Sequence, residues 1–474
     1  MFFDVDSFLK EVKKKLHDSD DVGTRVFTRG QQKIGLIFLR SMMDVSLFSE
    51  AIYKPLKENK GTITAKDLIE NTIKVDDVQE ISNEEVIEKI LKGCVIICNS
   101  LEETLLSVDI EKYPMRVPSE PPTSPVIRGP RQGFTEDLKT NITLIRRRFY
   151  TQKLVLKNLT IGRYSQAKVC IAYLDGIANK KVVKQIENKL RKVDIDGVID
   201  TFYLSKFLES RPNSLFKQVG NAEKPDIVAG KMLEGRVAVM LDGSPIVITV
   251  PYIILEDLQN SNDYYTNHHY ASLIRVVRLI GFLLSVISSG AYLALRLFHF
   301  NVLPTKFLIT IADTTQAIPF TPFIELLFIT LLFQILYEVS LRLPSYLGLA
   351  TSIVGALILG DTGVNAGLIS PPGVIVIALS KIAVYTMPEQ APQITTLQLI
   401  FLILGGSLGL LGIIAGLVYL INYLNKIDSF GVPYLAPYSP RIQSDLKDGL
   451  FKQPLTMMKK RPGFLLTKNR TRQK

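Results

Sequence analysis

The sequence predicts an α/β head of two similar subdomains, followed by an α-helical transmembrane domain of about four spans with one broken or re-entrant segment. Three observations predict it. Residues 1–270 carry 39 Lys+Arg and 37 Asp+Glu, the charge density of a domain in water, whereas 271–424 carry only six and five. The run at 397–424 has no charge at all and exceeds the ~20 residues that a bilayer core requires. Within the head, two stretches finish alike, as helix, glycine, strand, polar turn and strand.

The first head unit (1–111) has the strand KIGLIFLR at 33–40, the helix SNEEVIEKILKG at 82–93, and the strands CVIIC (94–98) and TLLSVDI (104–110) around a polar turn. The second (151–270) has the strand KVCIAYLDG at 168–176 and the helix NKKVVKQIENKLRKV at 179–193. It ends with KPDIVAGKMLEG (224–235), VAVML (237–241) and PIVITV (245–250). Asp242-Gly243 between the last two strands is a strong hairpin signal. Gly93 and Gly235 stand where a left-handed C-cap ends each helix. Cys94, Cys98 and Cys170 lie inside apolar strands with no histidine in ligand spacing, so they read as core thiols rather than a zinc site.

Residues 112–150 connect the units. Six prolines between Pro114 and Pro130 dictate an extended connector, because proline fixes φ and lacks a donor. A helix follows, with Thr135 as N-cap, Glu136 and Asp137 in its first turn, and Arg146, Arg147 and Arg148 at its C-terminal end. Two readings of the arginines stand: cations favoured at a helix C-terminus, or contact with phosphate or lipid headgroups.

The membrane part (271–424) has spans expected near 279–300 and 323–341. In the second, Thr330, Gln334, Glu338 and Arg342 recur every four residues and share one drifting face, with Glu325 on another side. Ionisable groups at such depth are costly unless paired or wetted. Glu338–Arg342 alone reads equally as a pair near the interface. The segment 346–387 is interrupted at Gly360-Asp361-Thr362-Gly363 and again at Pro371-Pro372-Gly373. Broken backbone cannot face lipid; it is buried in protein or lines a wet cavity. Val354, Gly355, Ile358, Gly360, Asp361 and Asn365 are therefore candidates for a pore or gate, together with Glu325, Gln334, Glu338 and Arg342. The glycines of the last span (Gly405, Gly406, Gly409, Gly412, Gly416) read as helix-packing sites.

The tail (425–474) holds eleven basic and three acidic residues. Such a tail stays cytoplasmic by the positive-inside rule, or attaches to membrane lipid headgroups or a partner. It lacks a recognition fold for nucleic acid. The N-terminus lacks a cleavable signal pattern, which places the head in the cytoplasm and, with the tail there too, makes the span count even. Enzyme signals are absent. His17, His268, His269 and His299 stand in no catalytic or metal spacing, no cofactor pattern occurs, and GALILGDT (355–362) has Asp361 where a phosphate loop needs lysine.

Three stretches together resemble a known family: EPPTSPVIRGPRQGFTEDLKTNITLIRRR (120–148), GRVAVMLDGSPIVITVPYIILEDLQNSNDYY (235–265) and RLPSYLGLATSIVGALILGDTGVNAGLISPPGVIVIALS (342–380) after PFTPFIELL. They are similar to the A subunit of GerA-type spore germinant receptors. The resemblance implies a spore inner-membrane protein that forms homo-oligomers and works with a transporter-like B subunit and a lipoprotein C subunit. It implies a role in forming or gating an ion channel, with the nutrient bound by the B subunit. Arg128, Gly129, Pro130, Arg131, Gly133 and Phe134 match the family's cytoplasmic motif, which together with Arg146–Arg148 is the expected assembly surface. Glu325, Arg342, Pro344, Gly355 and Gly360 match its membrane motif. This chain departs from the family at Ile329-Thr330 and Gln334, where more acidic residues are usual, and at Asp361, where an uncharged one is. A secondary transporter, a non-conducting scaffold and a germination-associated paralogue are the alternatives. Transporters show paired broken spans in two repeats, and only one such region is evident here.

Overall fold

The computed structural model describes residues 3–59, 61–75, 78–110, 128–316, 318–344, 347–348, 353–355 and 357–473. Most of the proline-rich connector lies outside them.

Each head unit is built on a five-stranded antiparallel sheet. The strands of the first are β1 (Val22–Arg29), β2 (Gln32–Leu39), β3 (Val78–Ile81), β4 (Val95–Asn99) and β5 (Leu105–Val108), in the order β1-β2-β4-β5-β3. The second has β6 (Leu154–Ile161), β7 (Ala167–Leu174), β8 (Gly220–Ala222), β9 (Val237–Leu241) and β10 (Val247–Val250), in the order β6-β7-β9-β10-β8. The two orders are the same permutation, so the units are structural repeats. The strands β4, β5, β9 and β10 are buried throughout, which is why strands such as VAVML are apolar along their length rather than alternating.

In the first unit, α1 (Val5–Lys15) and α2 (Val86–Leu91) cover one face through Phe8, Val12 and Ile90. In the second, α3 (Leu138–Arg146) and α6 (Pro225–Glu234) cover one face, while α4 (Lys180–Arg191) and α5 (Thr201–Leu208) cover the other. Gly93 and Gly235 have φ of +93° and +120°. At the second, the Arg236 N–H reaches back to the Lys231 carbonyl, satisfying the helix end.

The α3 helix also joins the units. Its Thr143 hydroxyl donates to the Ser41 carbonyl, and its Arg146 guanidinium pairs with Asp21 at 3.1 Å, both side chains buried. From the first unit, the Asp20 N–H donates to the Leu156 carbonyl on β6.

The helical part that follows contains α7 (His268–Leu297), α8 (Thr305–Thr315), α9 (Pro322–Arg342), α10 (Pro371–Val384) and α11 (Ala391–Asn425). Three of these helices are long and apolar enough to cross a membrane: α7, α9 and the stretch containing α11. The last of them is not one straight rod. Gly409 has φ +64° and ψ −147°, a region that only glycine occupies without strain. There the chain reverses. A Cβ on Gly412 would lie 2.4 Å from the Leu404 carbonyl oxygen, and one on Gly416 would lie 3.2 Å from the Phe401 ring. Such contacts between residues 8 and 15 positions apart are impossible along a straight helix at ~1.5 Å per residue. The run 397–424, expected as one span, is therefore a helical hairpin whose arms are 391–408 and 410–425.

Both ends of that hairpin stand at the head. Before it, Glu389 pairs with Lys217 and Gln390 donates to Asp257. After it, the Tyr423 hydroxyl donates to Ser214 at 3.0 Å and Tyr434 packs on Tyr252. The tail then lies along the head, where Arg461 donates to the Leu233 carbonyl at 2.7 Å and is buried. Head and tail thus occupy the same end of the helical bundle.

Candidate functional site

At the end of the bundle away from the head, three elements meet in a buried polar knot. Glu325, in the first turn of α9, is fully buried and pairs with Arg296 of α7 at 3.1 Å. The Ser370 backbone N–H donates to the other Glu325 oxygen at 2.8 Å, and the Ser370 hydroxyl donates to it too. Ser370 is also the N-cap of α10, accepting from the Gly373 N–H at 3.2 Å. A Cβ on Gly373 would lie 2.9 Å from Glu325. The glycine in PPG is thus needed for the carboxylate to reach the helix start. Glu325 anchors the far end of the broken segment to two other helices. Its partner Arg296 was not singled out from the sequence, although a lone arginine in SSGAYLALRLF satisfies the same criterion that marked Glu325.

The broken segment leads from α9 to that knot. Gly355 is buried against Leu336 of α9, where a Cβ would sit 2.8 Å from the leucine. A π-helical turn at Ile358–Thr362 carries Gly360 and Asp361, and the Asn365 amide donates to Asp361 at 2.8 Å. Val354, Ile358, Gly360, Asp361 and Asn365 are all exposed on the single chain. An apolar segment held on one side and bare on the other is unfinished until lipid, water or another chain covers it.

The polar stripe of α9 does not act as one unit. Thr330 is buried and satisfied by the Leu326 carbonyl. Gln334 accepts from Lys381 of α10 at 3.2 Å. Glu338 and Arg342 pair with each other at 2.6 Å on the exposed end of the same helix, so this pair does not clamp two helices of the chain.

Deeper in the bundle, Ser380 donates to the Ser285 carbonyl at 2.8 Å and Gln398 donates to Ser380 at 2.7 Å. This chain ties α7, α10 and the first hairpin arm. Nearer the distal end, α7 and that arm cross in backbone contact. A Cβ on Gly290 would lie 2.2 Å from the Phe401 carbonyl oxygen, and one on Gly405 would lie 2.2 Å from that of Gly290.

Where the head meets the bundle, Arg275 is fully buried. It donates to Asp263, at the end of the second head unit, at 3.0 Å and to Asp448 of the tail at 2.9 Å. Arg278 adds two bonds to Asp263, at 2.8 and 2.9 Å. A second knot joins Arg236 to Glu256 at 3.1 Å and Lys231 to Glu256 at 2.7 Å. Burial pushes the Glu256 pKa up, but Arg236 and Lys231 outweigh it and hold the carboxyl below its ordinary 4.5. Burial likewise disfavours charged Lys217, yet Asp257 and Glu389 raise it above its ordinary 10.5. A depressed carboxylate contributes stability that is present above its unfolded pKa and lost as pH falls through the folded one. A raised lysine contributes stability that is present below its unfolded pKa and lost as pH rises through the folded one. The junction is therefore fully held between pH 4.5 and 10.5. Thermal unfolding of the full-length chain should fall in temperature below that window, with a shallower acid slope in Glu256→Gln.

The motif at 128–134 lies against the second unit. Phe134 is in its core, and its N–H donates to the Glu223 carbonyl at 2.8 Å. Gly129 has φ +112° and sits against the ring of Tyr265, whose hydroxyl donates to Asp226 at 2.8 Å. Arg128, Pro130 and Arg131 are exposed and Gly133 is buried. Of the three arginines, Arg146 is enclosed with Asp21 and unavailable to a phosphate, Arg148 is half-buried, and Arg147 is exposed. Among the described residues, no cluster of three or more His, Cys, Asp or Glu is placed to hold a metal ion.

Comparison with known proteins places these features in a family. The profile of the Bacillus/Clostridium GerA spore germination protein matches residues 10–464. Spore germination protein KA of Bacillus subtilis is 32% identical over 474 residues, covering 98% of this chain and 87% of that protein. Spore germination protein GerQA of Bacillus cereus is 31% identical over 469 residues, covering 98% and 93%. The crystal structure of the N-terminal domain of the A subunit of the Bacillus megaterium spore germinant receptor GerK3 matches 52% of this chain and 94% of that one, at 26% identity and a TM-score of 0.40. The chain belongs to the GerA family of spore germination proteins.

Proposed function

We propose that this chain is the A subunit of a spore nutrient-germinant receptor. On this reading it sits in the spore inner membrane as a multi-pass protein, head and tail in the cytoplasm, with no enzymatic activity. It oligomerises and works with a transporter-like B subunit and a lipoprotein C subunit. Copies come together on the exposed face of 353–366, which lines or gates an ion path whose opening starts germination. The units are read as head subdomains 1–111 and 151–270, connector 112–150, membrane domain 271–424 and tail 425–474. The crossings are even in number, because head and tail share one end of the bundle.

The observation that carries the reading is the broken segment itself. It is pinned at Gly355 and at the Glu325–Ser370 knot, yet presents Val354, Ile358, Asp361 and Asn365 outward. Gating further requires that nutrient binding favour the open arrangement by a differential free energy. The Arg275–Asp263–Asp448 network gives the head, tail and first span a common contact through which that difference can act. Potassium and dipicolinate release from spores carrying Asp361→Asn or Gly355→Leu, at normal protein abundance, tests it. Altered or nutrient-independent release supports the reading. Unchanged release in both removes the segment from the conduction path and favours a non-conducting scaffold.

A further inference from the structure

Between α9, α10 and the start of the first hairpin arm lies a cavity of about 680 Å³, within the ~300–1,000 Å³ range of small-ligand sites. Phe333, Leu336 and Ile382 make its wall largely apolar, and Tyr337 and Tyr385 stand beside each other with ring centroids 6.3 Å apart. Its mouth opens on the outside of the bundle, where Leu341, Ile382 and Tyr385 are 64%, 66% and 59% exposed.

One cation reaches into this wall. Lys381, in the last turn of α10, donates to the neutral Gln334 amide oxygen at 3.2 Å. Among the described residues no carboxylate pairs with it; Glu338, the acid lining the cavity, accepts both of its bonds from Arg342. A lysine left without a counter-ion in apolar surroundings is costly, unless an anion arrives with the apolar group that fills the space.

The depth of the site fits such an occupant. Lys381 lies beside Ser380, which bonds Ser285 of α7. Five residues on, Thr386 packs on Gly281, and three more bring the chain to Glu389 at the head. The lysine therefore stands about midway along the bundle, and the cavity it lines runs on to Ala391 and Pro392 at the head-side end, where a bilayer's headgroup layer meets its acyl chains.

We propose that this cavity is a binding site for a phospholipid with an anionic headgroup, one acyl chain filling the space among Phe333, Leu336 and Ile382 and the phosphate or its neighbouring anion meeting Lys381. The tyrosines then border the headgroup, the position amphipathic rings favour. The site links α9 to α10, the two helices that flank the broken segment, so its occupancy stabilises that part of the bundle.

Native mass spectrometry tests this on the full-length chain released from bilayers of phosphatidylglycerol and phosphatidylcholine. The expected result is one lipid retained per chain with about tenfold preference for phosphatidylglycerol, one charge-assisted contact's worth of selectivity. Lys381→Met should abolish the preference and Lys381→Arg should keep it. Ala378→Trp, which fills the cavity and leaves the lysine, should lose the lipid whatever its headgroup. Equal phosphatidylglycerol retention in Lys381→Met overturns the proposal. So does a photo-crosslinker at Ile382 that captures a second copy of the chain instead of lipid.

Discussion

Placing valine at Gly290 or Gly405 should prevent the helical bundle from assembling. At this crossing the two helices meet backbone to backbone, and any Cβ would sit 2.2 Å from a carbonyl oxygen. A flexible side chain can move aside, but a peptide carbonyl cannot, so the helices must separate and lose contacts along their whole length. Forced overpacking ordinarily costs ~1–3 kcal/mol, and a clash with backbone on both helices should reach or exceed the top of that range. Small residues at such crossings are the general means by which apolar helices associate in lipid, where burial alone gives little driving force. The expected outcome is strongly reduced abundance of the full-length chain and a lowered unfolding temperature in detergent. Gly230→Ala is the control. A Cβ there meets nothing within 4 Å, and alanine favours the helix by ~1 kcal/mol.

Breaking the distal knot should have an effect of similar size, with a diagnostic pattern. Glu325→Gln leaves Arg296 without its charge partner in a buried site, and Arg296→Met leaves Glu325 in the same condition. Removing one member of a buried pair costs ~3–5 kcal/mol, mostly because the other charge is stranded. The double variant strands neither, so it should recover more than about 1 kcal/mol relative to the sum of the single changes. A double-mutant cycle on denaturation of the solubilised chain measures this directly. Ser370→Ala should add a smaller loss, since it removes the N-cap of α10 and one bond to Glu325, about 1 kcal/mol for each.

The parts of this architecture that were legible in the sequence are those that depend on local pattern. The helix–glycine–strand–turn–strand endings at 82–110 and 224–250 mark the duplication, because capping glycines and short apolar strands are local chemistry. The outer strands β1 and β6 were missed. VGTRVFTR and LVLKNLTI mix polar residues into their solvent-facing edge and show no turn as plain as Asp242-Gly243. The reversal at Gly409 was also hidden. Five glycines in an apolar run look like packing sites, and apolar length cannot report direction; only the φ of one residue makes 391–425 a hairpin. Polar contacts across the fold were the least legible. Arg275 meets Asp448 across 173 residues of chain, and Ser285, Ser380 and Gln398 meet only because three helices pack.

The three native thiols leave the chain open to a cysteine test. Cys94, Cys98 and Cys170 are buried, and burial pushes the Cys98 thiol up to about 12, so none competes for a charged thiol reagent at neutral pH. The measurement that bears most directly on the proposed ion path is modification of single cysteines at Val354, Ile358, Asp361 and Asn365, in vesicles reconstituted with the complete receptor. A positively charged methanethiosulfonate should label these positions and change nutrient-triggered potassium flux, while Leu284→Cys, on the outward apolar face of α7, stays unlabelled. Labelling at all four positions with unchanged flux would contradict the assignment of 353–366 to the ion path.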